Sequence, residues 1–248
     1  MKPIDQNACR GQFDAICPLP GILPSEYLNA AKTRGITTLF VFLQGESAGT
    51  WRACESDSVV ILSPEDWGRP EISKNDCYFS FTHFFYEKYA WNLLNPDEFS
   101  LLLSRFSGGA EEFLSAYKEA FKAVLRISKS RIAFGLEAVA KLLGTKICDS
   151  ALYRKTMLDL ADELVARGFA VCYATGHPVC DLSPFVLRRM SERRGDILLA
   201  SFAEKPEDVG QGIKKSALSA RAAGFGGYVT YSNRELVRVP NAIQKETL

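Results

Sequence analysis

The chain has 248 residues, 47% of them apolar and 24% charged, with a formal net charge of +1. That composition supplies a globular core and excludes a disordered chain. With the charges so nearly balanced, no overall field attracts nucleic acid or an anionic membrane, and a nucleic-acid partner is not expected.

The opening residues, Met1 to Gln6, are polar and lack the apolar run of a secretory signal. No stretch reaches the roughly 18 uninterrupted apolar residues of a membrane span. The seven cysteines, at positions 9, 17, 54, 77, 148, 172 and 180, form no CxxC pair. An odd and scattered set fits reduced thiols, and a cytoplasmic protein is expected, without a metal or cofactor site.

In chain order, Phe13–Cys17 reads as a first strand. Pro24-Ser25-Glu26 opens a helix over 24–35 that ends at Arg34-Gly35. The run from Ile36 to Leu43 is apolar at nearly every position, as in a strand buried on both faces. Val59–Leu62 and Tyr78–His83 are further strands, but the links before them carry Gly45, Gly49, Pro64, Gly68 and Pro70 and show no helical period. Parallel neighbours need a crossover of about a dozen residues, usually helical. These links are therefore either loop crossovers or an antiparallel insertion.

Asn95-Pro96-Asp97-Glu98 starts a helical region over 96–128, split at Ser107-Gly108-Gly109. Its second half gathers Phe113, Tyr117, Phe121, Val124 and Leu125 on one stripe. Arg131–Leu136 is a fifth strand. From there one pattern recurs: a helix, a glycine that stops it, and a buried β run. It runs over 150–168 into 169–174, over 184–195 into 197–202, and over 206–223 into 227–232. Alternation of this kind produces an α/β fold with a mostly parallel sheet. Eight strands in this length allow an irregular (β/α)8 barrel or an open mixed sheet. One α/β domain over 1–248 is expected, with a loop-rich insertion around 44–77 and a frayed tail at 240–248.

Ligands of such sheets bind beyond the carboxyl ends of the strands. Gln44, Glu46, Ser63, Glu65, His83, Glu87, Glu137, His177, Glu204, Ser232 and Asn233 fall there. His177, between Gly176 and Pro178, is either a general acid or base or a turn histidine bonded to backbone. Glu137 lies in a barrel mouth with a raised pKa if 131–136 is a strand, and on the surface if that segment is helical. Glu204 would complete the carboxylate pair of glycoside hydrolysis, or is a loop residue beside Lys205. His83, among aromatics, assists or sits in the core. Cys172 reads as a core thiol, and Cys180, beside His177, as a minor nucleophile candidate. The turn 224–227 lies between helix and strand, the reverse of a phosphate loop, while Gly210-Gln211-Gly212 at a helix start is the better anion candidate.

Two functions follow. One is a hydrolase acting on a sugar-containing or other polar small substrate, with Glu137, Glu204, His177 and His83 as catalytic residues. The other is a non-catalytic regulator of a protein partner, docking through the arginines of helix 184–194.

Overall fold

The computed structural model describes residues 13–16, 18, 22–36, 38–42, 51, 53–54, 59–64, 77–128, 130–232 and 235–240. The eight expected strands are all present: β1 (Phe13–Ile16), β2 (Thr38–Phe42), β3 (Val59–Pro64), β4 (Cys77–Ser80), β7 (Ile132–Phe134), β8 (Ala170–Tyr173), β9 (Asp196–Leu199) and β10 (Gly227–Ser232). Each runs parallel to the next. Parallel pairing of β2 with β3 and of β3 with β4 rules out the antiparallel insertion. The links themselves fall mainly outside the described residues, as do Gln44, Glu46, Glu65 and Asn233.

A ninth strand, β11 (Glu235–Pro240), returns antiparallel beside β10. The far edge does not stay open. Ile16 forms a parallel bridge with Ala203, four residues beyond the end of β9. Asp14, fully buried in β1, reinforces that junction by accepting from Ser201 N at 2.7 Å, Ser201 Oγ at 2.5 Å and Gly210 N at 2.6 Å. The sheet thus curls until its first strand meets the segment after β9, with the β10–β11 pair attached beside it. Gly210 does receive an anion, and that anion is the protein's own Asp14.

Between β4 and β7 the chain inserts a hairpin, β5 (His83–Tyr86) and β6 (Tyr89–Asn92), then α2 (Pro96–Leu103) and α3 (Gly109–Leu125). The predicted strand Tyr78–His83 is therefore shorter, because His83 opens the hairpin. Asn95 caps α2 by accepting from Asp97 N and Glu98 N at 3.0 and 3.3 Å. The α3 stripe of Phe113, Tyr117, Phe121 and Leu125 is buried as expected, with Phe121 against Phe79 of β4.

After β7 come two short turns of helix, α4 (Ala140–Leu143) and α5 (Thr145–Cys148), followed by α6 (Ala151–Ala166), α7 (Pro184–Glu192) and α8 (Ile213–Ala222). Ser150 caps α6 through Tyr153 N at 3.1 Å. The helix predicted over 206–223 is instead a 3-10 turn at Pro206–Asp208 and α8, separated by Gly210 and Gly212 at positive φ. Among the described residues no helix is long and apolar enough to cross a membrane.

Candidate functional site

The loops after β7 and β8 converge. Leu136 to Val139 form a turn between β7 and α4, which buries Glu137 to 7% exposure. Both of its carboxylate oxygens are engaged. Oε1 accepts from the Tyr153 hydroxyl of α6 at 3.0 Å, and Oε2 from the backbone N–H of Ser183 ahead of α7 at 2.5 Å. Burial pushes the pKa up, the Ser183 and Tyr153 bonds oppose that, and the Asp181 charge adds to the rise. Tyr153 is shifted upward too, by its own burial and then by the Glu137 charge. Glu137 is thus a buried tie between β7, α6 and α7.

His177 sits in a compact turn beyond β8. Gly176 takes φ +79 there, and His177 N bonds Ala174 O at 3.0 Å. The imidazole Nδ1 accepts from the N–H groups of Val179 and Cys180, both at 3.2 Å. Burial first and the Lys141 charge second bring its pKa down to about 4, against a smaller upward pull from Asp181. At neutral pH the ring is uncharged. With Nδ1 acting as acceptor, its single proton lies on Nε2. The turn reading and the chemical reading of this histidine are therefore compatible: the turn occupies one nitrogen and leaves the other as a donor.

Below the ring lies Phe202, buried and held at φ +49. A bulky residue in that region is strained by about 1–3 kcal/mol, which its surroundings must enforce. Its ring packs against Phe42 and Phe134, both at 5.4 Å between centroids, and against His177 at 5.2 Å. Tyr78 completes this aromatic floor through Phe42 and Phe134. The carboxyl ends of β2, β7 and β9 are thus sealed by rings, with His177, exposed Asp181 and exposed Lys141 above them.

The other expected residues lie apart from this cluster or in different states. Glu204 is exposed, and its backbone carbonyl accepts from the Tyr27 hydroxyl. The charge acting on Glu137 is that of Asp181, not Glu204. His83 is exposed at the start of β5; its Nδ1 lies 3.1 Å from Thr82 Oγ1, which lies 2.6 Å from Ser80 Oγ. Partial burial of the ring lowers the His83 pKa, opposed by the Glu98 charge. Glu87 sits in the hairpin turn, 3.7 Å from Arg105. Cys172 and Cys180 are both buried. Among the described residues no group of three or more His, Cys, Asp or Glu side chains could hold a metal ion. Lys141, Asp181 and Phe202 were not singled out from sequence. Asp181, four residues after His177, was the one with a readable signal.

No protein-family model matches the chain, and no curated protein does. Among solved structures it is similar to histidinol phosphate phosphatase from Lactococcus lactis subsp. lactis Il1403, complexed with zinc, L-histidinol and phosphate. The match has a TM-score of 0.61 and 14% sequence identity, and covers 92% of this chain and 99% of that one. At that identity the likeness is one of fold.

Proposed function

We propose that the protein is a hydrolase of a polar small molecule, working above the aromatic floor at the carboxyl ends of β7 and β8. The observation that carries this reading is the state of His177: uncharged at neutral pH, oriented by two backbone N–H groups, and left with Nε2–H as a donor. A neutral imidazole of this kind stabilises negative charge developing on a substrate oxygen, in a geometry set before the substrate arrives. Lys141 adds positive charge nearby, and Asp181 stands on the exposed side as a base for water. The strain at Phe202 supports the same location.

The fold likeness to a phosphatase makes phosphate monoesters the first substrates to try. A sugar-containing substrate would instead call on a carboxylate pair, with Glu137, raised in pKa, as the acid and Glu204 as its partner. His83 would assist. Both oxygens of Glu137 already accept bonds, which is why His177 takes the central role here. The test is a screen of a phosphate monoester, a carboxylic ester and a glycoside with the wild type, Glu137→Gln, Glu204→Gln and His177→Asn. Turnover that falls in His177→Asn supports this reading, and dependence on Glu204 for the glycoside alone supports the carboxylate variant. No turnover of any class by the wild type contradicts both.

A second reading, a non-catalytic regulator of a protein partner, rests on a different observation. Phe85 and Tyr89 on the β5–β6 hairpin are 51% and 66% exposed, with Leu101 of α2 at 53%. These are separate exposed apolar side chains on one insertion, Phe85 and Tyr89 on opposite faces of the hairpin, and a docking partner would be sought there. Of the arginines over 184–194, Arg189 and Arg193 are less available, since both reach Asp162. Retention of a partner during purification, lost on Phe85→Ser with Tyr89→Ser, would favour this reading over the first.

A further inference from the structure

The opposite end of the sheet carries a concave site. Asp196 opens β9, Gly227 opens β10, and Gly227 is in register with Pro240 at the end of β11. All three lie at the amino ends of the parallel strands, away from His177. A cavity of about 500 Å3 there is lined by Ser191, Arg194, Asp196, Gly226, Gly227 and Arg238, among others.

The charges in this pocket do not cancel. Arg238 grips Asp196 through Nε at 2.7 Å and Nη2 at 3.2 Å, and Nη2 also donates to the Arg194 carbonyl at 3.1 Å. The Arg194 guanidinium makes no hydrogen bond or ion pair among the described residues. Gly226 is open as well: a Cβ placed there would meet nothing within 4 Å. Its N–H has no hydrogen-bond partner among the described residues.

Arg194 also holds an unusual backbone. After α1 (Pro24–Thr33) and α6, the left-handed residue that ends the helix is a glycine, Gly35 at φ +68 and Gly168 at φ +73. After α7 it is Arg194, at φ +57, one residue before the glycine that the sequence marks as the stop. Gly195 is a glycine for another reason, since a Cβ there would lie 2.5 Å from Val165 Cγ2. A glycine at 194 would relieve the strain, so an arginine there costs stability.

We propose that this pocket binds a phosphate monoester, a ligand site separate from the function proposed above. The terminal oxygens of the phosphate take the Arg194 guanidinium, the Gly226 N–H and the Ser191 hydroxyl, a donor set that suits a tetrahedral anion. Arg194 is exposed at an open recess, and one uncompensated guanidinium there suits a discrete phosphate group. A nucleic-acid backbone would require a row of cations.

The test is thermal unfolding of the full chain in chloride, inorganic phosphate or glycerol 3-phosphate at matched ionic strength, with affinities from calorimetry. An oligonucleotide lacking a terminal phosphate is the third ligand. Glycerol 3-phosphate should raise the wild-type Tm by several degrees. Arg194→Gly should unfold in chloride at or above the wild-type temperature and show no such rise. If Arg194→Gly is less stable than the wild type, Arg194→Gln, which keeps the backbone and removes the charge, should likewise lose the rise. Asp196→Asn frees the Arg238 fork and should tighten binding severalfold. No rise in the wild type, an equal rise in both Arg194 variants, or tighter binding of the oligonucleotide than of the monoester would overturn the proposal.

Discussion

Asp14 and Gly210 meet across the seam of the curled sheet: the carboxylate of the first strand accepts the Gly210 N–H at 2.6 Å, in the turn that leads into α8. With Ser201 supplying two further donors, one buried carboxylate fastens the two ends of the fold. Asp14→Asn removes the charge and turns one acceptor into a donor facing donors. A loss of about 2–4 kcal/mol in urea unfolding is expected, with the helix signal retained.

Tyr153 and Glu137 form the corresponding tie behind β7. Tyr153→Phe leaves the ring in place and removes one donor from the carboxylate. It should cost about 1–2 kcal/mol. Because the Tyr153 bond holds the Glu137 pKa down against burial, the variant should push that pKa further up, as read by carboxyl carbon NMR titration.

His177 sets a pH dependence with a definite sign. Its pKa falls from 6.5 to about 4 on folding, so between those values the unfolded chain holds a proton that the folded chain does not. Its contribution is complete above pH 6.5 and declines as the pH drops towards 4. Glu137 works the other way: its raised pKa favours the fold below the ordinary carboxylate value, and that advantage is lost as the pH rises through the folded value. His177→Asn keeps an acceptor for the two N–H groups and removes the titration. Its unfolding midpoint should therefore fall less than that of the wild type between pH 6.5 and 4.5.

Gly195 tests close packing where α7 meets β9. Gly195→Ala drives a methyl into Val165 Cγ2, a β-branched side chain in a helix with little rotamer freedom. A destabilisation of about 1–3 kcal/mol is expected in chemical unfolding.

The eight parallel strands were legible because runs such as Leu39 to Phe42 and Ala170 to Tyr173 are buried on both faces, and such runs stay apolar throughout. The β5–β6 hairpin was not legible. Its turn residues, Glu87 at φ +49 and Lys88 at φ +69, occupy positions where glycine or asparagine would have marked a turn. Arg194 hid the end of α7 in the same way. The state of Glu137 depended on Tyr153 and Ser183, residues 16 and 46 positions along the chain, and no local period carries that information. His177 could be placed in its turn from Gly176 and Pro178, but its aromatic floor is assembled from β2, β4, β7 and the segment after β9. The closure through Ile16 and Ala203 is likewise a product of tertiary packing alone.

The most direct measurement is the hydrolytic rate of the wild type beside His177→Asn at pH 7, on whichever substrate class the screen identifies. Loss of the Nε2–H donor should lower kcat by about 100- to 1,000-fold while the circular dichroism spectrum and Tm stay close to wild type. Equal rates for the two proteins would contradict the role given to His177.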